Sequence, residues 1–88
     1  MKLKRHKKFI NDLSKVKFSN SQFEKYIKYL GYFLKDIELP TESKNHQLKG
    51  EYLGFKEFHL GGDLLVVYYQ NADEIILARI GTHSKLFK

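Results

Sequence analysis

The 88-residue chain contains no cysteine. That absence removes disulfides, thiolate metal sites and a cysteine nucleophile together, and it fits a reducing cytosol. Proline occurs once, at Pro40, so there is a single obligatory break in helix or ladder hydrogen bonding. No apolar run approaches the ~20 residues that cross a bilayer. The start, MKLKRHKKFI, is basic like a signal-peptide n-region, but Asn11, Asp12 and Ser14 interrupt before any apolar stretch follows. The expectation is a cytoplasmic protein with one domain over residues 1–88.

Apolar mass and positive charge are what the chain does have. Hydrophobic residues make up 42% and aromatics 15%, enough for one core, although a domain of this size buries only about 60 to 65% of its unfolded surface. The formal net charge is +6, with Lys2, Lys4, Arg5, Lys7 and Lys8 crowding the start and Lys15 and Lys17 continuing the run. Such a face attracts nucleic acid, acidic protein or anionic membrane without discriminating among them. A plain lysine-rich solvated surface accounts for the charge equally well.

The residue pattern predicts an α+β fold in the order β-α-α-β-β-β-β, two helices packed on a curved, mainly antiparallel sheet. Lys2 to Arg5 reads as a short strand. Phe9, Ile10, Leu13 and Val16 recur at helical spacing, and that helix should stop near Lys17. Ser21 with Glu24 forms a candidate capping box for a second helix, whose apolar set is Phe23, Tyr26, Ile27, Leu30, Phe33, Leu34 and Ile37. Leu39-Pro40 should end it, and Thr41 to Lys49 reads as a loop carrying His46. Four strands then follow, Glu51 to Leu53, Phe55 to Leu60, Leu64 to Tyr69 and Glu74 to Ile80. Gly61-Gly62 and Asn71-Ala72-Asp73 are the expected turns. Leu64 to Tyr69 is apolar on both faces, as a central strand should be.

Three of the four histidines, His46, His59 and His83, fall in this second half, each beside a turn signal. Imidazole transfers protons near neutral pH, so several converging on one site could act on a phosphodiester without a metal. The period of a strand puts His59 on one face with Glu57 and Phe55, and Lys56, Phe58 and Leu60 on the other. The Gly61-Gly62 turn is expected to fold Asp63 back onto His59, while Arg79 lies four residues before His83 with Gly81 between them. His6, set among lysines, reads as surface charge. Bland readings exist for the others: Asp63 as a hairpin cap, Arg79 as a partner of Glu57 or Glu74, and Phe87 as a last core residue.

Three segments in order, His46-Gln47-Leu48-Lys49-Gly50, Phe58-His59-x-x-x-Asp63 and Arg79-Ile80-Gly81-Thr82-His83-Ser84-x-Leu86-Phe87, resemble the YafQ-type toxins of the RelE/ParE superfamily from bacterial type II toxin-antitoxin operons. The resemblance implies a microbial RNase-like fold, cleavage of mRNA, usually in the ribosomal A site, and a cognate antitoxin partner. It places functional residues on His46, His59, Asp63, Arg79, His83 and Phe87, and Lys49 and Lys56 would add charge. Lys56 and Leu64 stand where the best-known member has arginine and tryptophan, and the second departure leaves base stacking, and hence codon preference, open. In chemical terms His83 would be the general acid, Asp63 or His59 the base or its orienting partner, Arg79 with His46 the phosphate clamp, and Phe87 a stacking platform. Acid and base are interchangeable at this point. The alternatives are a non-enzymatic toxin of the ParE type, acting on DNA gyrase, and a nucleic-acid-binding module without catalysis. No cofactor is expected: a zinc set of His46, His59, Asp63 and His83 lacks any short-spaced ligand pair.

Overall fold

The computed structural model describes residues 1–87. Its elements are β1 (Lys2–Arg5), α1 (Lys7–Leu13), α2 (Asn20–Leu34), β2 (His46–Gln47), β3 (Lys56–Gly61), β4 (Leu64–Asn71), β5 (Glu74–Thr82) and α3 (His83–Leu86), with single 3-10 turns at Thr41–Ser43 and Gly50–Tyr52. They form a five-stranded sheet of order β1-β5-β4-β3-β2, in which β1 runs parallel to β5 and every other pair is antiparallel. No helix among the described residues is long and apolar enough to cross a membrane.

The expected α+β architecture holds, with local corrections. The segment Glu51 to Leu53 falls on a 3-10 turn and its C-cap, and the first strand of the meander is instead His46–Gln47. The first helix stops at Leu13, short of Val16. Ser19 and Gln22, not Ser21 and Glu24, form the capping box, each side chain accepting from the other's backbone amide. The second helix ends at Leu34, well before Pro40. Asp36 there adopts a left-handed conformation, φ 58°, and the Ile37 and Asp36 amides donate back to the Tyr32 and Phe33 carbonyls at 2.8 and 3.1 Å. This closure is the Schellman pattern, built without glycine.

Helices α1 and α2 cover one face of the sheet. Phe9, Tyr26, Tyr29 and Phe33 pack there on Phe58, Leu60, Val66 and Tyr68. Phe33 lies with its ring centroid 5.7 Å from Phe58 and 5.0 Å from Tyr68; such aromatic pairs contribute about 0.5–1.5 kcal/mol each beyond the area they bury. Much of the apolar stripe expected to be core on α2 is half-exposed, including Phe23, Ile27 and Leu34; Tyr26, Tyr29 and Phe33 supply the buried face. Strand β4 is central and buried on both sides, as its double-faced apolarity requires.

The opposite face is only partly covered. Leu65, Val67, Ala78 and Leu86 form a second small core with Leu48, Phe55 and Phe87 at its margin. Helix α3 turns back over one end of this face because Gly81 has no side chain: a Cβ there would stand 3.2 Å from Leu86 Cδ2. The rest of the face stays open.

Candidate active site

Residues directly opposite in an antiparallel ladder project to the same side. Two rows on the open face therefore organise the site. One runs from His46 through Glu57 and Val67 to Arg79, and the next from His59 through Leu65 to Gly81. Ala78 is an extra residue opposite the Val67–Tyr68 step, a bulge that keeps Arg79 on the Val67 side while Leu77 returns to the helix side.

Glu57 is the centre of the cluster and is 4% exposed. Its Oε2 accepts a hydrogen bond from His59 Nε2 at 2.8 Å and lies 3.4 Å from His46 Nε2. The two imidazoles are nearly parallel, with centroids 6.1 Å apart. A buried carboxylate needs partners of this kind to offset its lost hydration. Since a carboxylate facing an imidazole nitrogen accepts, Nε2 is the donor atom of His59, and its Nδ1 is left as the proton acceptor. For His46 the anchor is different: Nδ1 donates to the Lys44 carbonyl at 2.6 Å, which turns Nε2 toward Glu57. One carboxylate oxygen of Glu57 and one ring nitrogen each of His46 and His59 lie within 4.8 Å of one another, a nitrogen-oxygen-nitrogen group of the type that binds transition metals.

Arg79 stands across β4 from Glu57, about 10 Å away at two strand spacings. Its partner is Asp12 of α1, not Glu57 or Glu74. Nε and Nη2 donate to the two carboxylate oxygens at 2.7 and 3.2 Å. Asp12 Oδ2 also accepts from the Ile80 amide at 3.1 Å. Strand β1 pairs only as far as Leu77, so the remaining edge of β5 would otherwise leave this amide open, and Asp12 takes the place of a strand. The hydrogen bond that Arg79 donates to Asp12 raises its already high pKa, with burial acting against it. The guanidinium is a fixed cation with donors to spare.

The remaining residues singled out in the sequence are spread around this cluster. His83 opens α3 just beyond the His59–Leu65–Gly81 row, exposed, with its amide donating to the Asp63 carbonyl at 3.2 Å. Phe87 packs between His83 and Tyr52, at centroid distances of 5.0 and 4.9 Å. Asp63 does not meet His59. The ladder shifts register between His59 and Gly61, and Asp63 lines a separate cleft of about 220 Å³ on the α1–α2 side, with Lys15, Lys17, Gln22 and Lys85. Lys56 lies opposite Tyr68 and projects to the helix-covered side, so it does not join the histidines. Lys49 is exposed in the turn after β2. Glu57 is the site residue that the histidine pattern passed over. Its signal was present, a carboxylate two positions from His59 on the same strand face.

A helix-backed, five-stranded α+β sheet with a carboxylate and imidazoles on its open face defines the class. Residues 1–88 match the model of the bacterial toxin of the type II toxin-antitoxin system, YafQ, and the chain belongs to that family. It is 32% identical to the mRNA interferase toxin YafQ of Escherichia coli K12 over 63 residues, 69% of this chain and 68% of the other. Among solved structures it is similar to a copper-bound mutant toxin from Helicobacter pylori, with 34% identity, 98% of each chain covered and a TM-score of 0.83. The E. coli DinJ-YafQ toxin-antitoxin complex matches with 25% identity, 98% and 96% coverage and a TM-score of 0.77.

Proposed function

We infer that the chain is an endoribonuclease toxin that cleaves mRNA in the bacterial cytoplasm, with the substrate's own 2′-hydroxyl as nucleophile, and that a cognate antitoxin restrains it. The observation that carries this reading is the Glu57–His59 hydrogen bond on an open, cation-flanked sheet face. Attack of the 2′-oxygen on phosphorus requires removal of its proton, and departure of the 5′-oxygen requires a proton delivered to it. The product ends are a 2′,3′-cyclic phosphate and a 5′-hydroxyl.

His59 is the base in this reading. Glu57 fixes the ring through Nε2 and offsets the charge that builds on it when Nδ1 takes the proton, the role a buried carboxylate plays beside any catalytic imidazole. Arg79, held by Asp12 at the far side of the same face, offers its free N–H donors to the phosphoryl oxygens as charge develops there. His46 flanks the carboxylate from the opposite side. His83, on α3, supplies the proton for the leaving oxygen, and Phe87 holds its ring in place. Asp63 faces the cleft on the α1–α2 side, and its backbone carbonyl receives the His83 amide.

The Helicobacter pylori relative is copper-bound, and His46, Glu57 and His59 fit a transition ion by donor type and spacing. A metal held there would supply Lewis-acid polarisation of a phosphoryl oxygen. The acid-base scheme is complete with the chain's own residues.

DinJ in the E. coli complex supports an antitoxin partner, and the +6 charge suits an acidic segment that folds on binding. The name of the E. coli relative supports mRNA as substrate, and the ribosome is the proposed place of cleavage. The test is expression of wild type and His83→Ala. Wild type should arrest growth with cleaved mRNA, and the variant should do neither. Equal growth arrest with intact RNA in both would exclude a nuclease.

A further inference from the structure

One row of the sheet beyond Glu57 and Arg79, the open face carries a cavity of about 430 Å³ that the cleavage scheme does not use. Its size is in the range of small-ligand sites. Tyr52, Phe55 and Tyr69 give it aromatic walls. Phe55 meets Tyr69 edge-on at 5.2 Å, and Tyr52 meets Phe55 edge-on at 6.3 Å, so the rings brace one another in fixed orientations. Val67 and Ala78, both buried, close it on the sheet side. Leu53 stands at its mouth and is 76% exposed, unusual for a leucine of no structural use.

The charge around this cavity is of one sign. Lys8, His6 and Arg79 line it, and among the described residues no carboxylate does. A ligand that satisfies both features is flat and apolar on its faces and anionic at one edge. Arg79 and Val67 belong both to this cavity and to the row through Glu57, so the two sites are continuous. The offset is two residues along the strands, about 7 Å, the order of one nucleotide step in an extended strand.

We propose that this cavity is a nucleobase subsite, which receives a base of the RNA strand next to the scissile phosphate while Arg79 and Lys8 meet the flanking phosphates. The proposal rests on the RNA-cleavage reading above. Stacking on an aromatic wall is tolerant of base identity, whereas the edge of the base turned toward Tyr52, Tyr69 and His6 meets groups that hydrogen-bond. The subsite therefore contributes affinity first and sequence preference second.

The experiment measures binding of the full chain to a fluorescent 2′-O-methyl RNA octamer, which cannot be cleaved, alongside cleavage of the matching unmodified RNA. Tyr69→Leu keeps apolar bulk but removes the flat ring, and it should weaken binding about tenfold, while Tyr69→Phe, which keeps the ring and loses only the hydroxyl, should weaken it several-fold less than Tyr69→Leu. Leu53→Glu, at an exposed lip where folding is not at stake, should weaken binding as well. An octamer lacking one base beside the cleavage point should lose the same factor with wild type and nothing further with Tyr69→Leu, the signature of a direct pair. If wild type binds and cleaves RNA but Tyr69→Leu and Leu53→Glu bind as tightly, the subsite is refuted and the nuclease stands. If wild type neither binds nor cleaves RNA, with or without ribosomes, the nuclease reading falls and the subsite falls with it.

Discussion

Glu57, buried between two imidazoles, accepts a hydrogen bond from His59 at 2.8 Å and so decides which nitrogen of that ring can take up a proton. The arrangement predicts graded losses. Glu57→Ala should lower kcat about 10²-fold by freeing the ring, and Glu57→Gln, which keeps an acceptor but no charge, should fall between it and wild type. KM should stay near its wild-type value in both, because Glu57 does not reach the phosphate clamp. Single-turnover cleavage of a defined RNA separates the two parameters; a change confined to KM would remove Glu57 from the proton-transfer machinery.

Asp12 has two tasks, and two substitutions separate them. Asp12→Ala leaves Arg79 without its bidentate partner and the Ile80 amide without an acceptor, so it should cost about 1–3 kcal/mol. Asp12→Asn keeps one acceptor for the amide and should cost less. Chemical denaturation of the two variants checks the order, and equal stabilities would mean that Asp12 does not cap the edge of β5.

The Tyr29 hydroxyl is buried with no hydrogen-bond partner among the described residues, and burial, with Glu42 and Tyr32 nearby, pushes its pKa upward. Tyr29→Phe removes an unsatisfied polar group while keeping the ring against Phe58. We expect a gain of up to about 1 kcal/mol, seen as a melting temperature a few degrees higher. A lower melting temperature would show that the hydroxyl has a partner.

Gly81 is there for the approach of α3. Gly81→Ala would press its Cβ on Leu86 at 3.2 Å, and the displaced helix carries His83 and Phe87. A cost of about 1 kcal/mol in stability is expected, with a larger proportional loss of cleavage than of folding. Activity that survives while stability falls would place His83 outside the chemistry.

Copper or zinc added to the purified protein should bind the His46–Glu57–His59 donors and suppress cleavage by occupying the nitrogens that move protons, with recovery on chelation. Stimulation by either ion, or loss of activity when the untreated protein is chelated, would replace the acid-base scheme by a metal-assisted one.

Features governed by local period were readable from the sequence, and features governed by distant contacts were not. The central place of β4 follows from Leu64 to Tyr68 being apolar on both faces, and the shared face of Glu57 and His59 follows from strand alternation. The partner of Arg79 lies 67 residues away in sequence on α1, and no pattern near Arg79 points to it. Asp63 was expected on His59 because a regular hairpin would bring it there, but the register shift before Gly61 turns it to the other side. The end of α2 was masked for a similar reason. Asp36 takes the left-handed conformation that glycine normally marks, so the later Pro40 drew the boundary instead.

The central claim is that the RNA supplies its own nucleophile to a site built on Glu57, His59, Arg79 and His83. The measurement closest to it is the chemistry of the new ends, read on a defined mRNA incubated with the purified protein, with and without ribosomes. The account predicts 2′,3′-cyclic phosphate and 5′-hydroxyl ends, and no cleavage at a nucleotide whose 2′-hydroxyl is replaced by hydrogen. Ends bearing 3′-hydroxyl and 5′-phosphate, or cleavage that persists at the deoxy position, would contradict it.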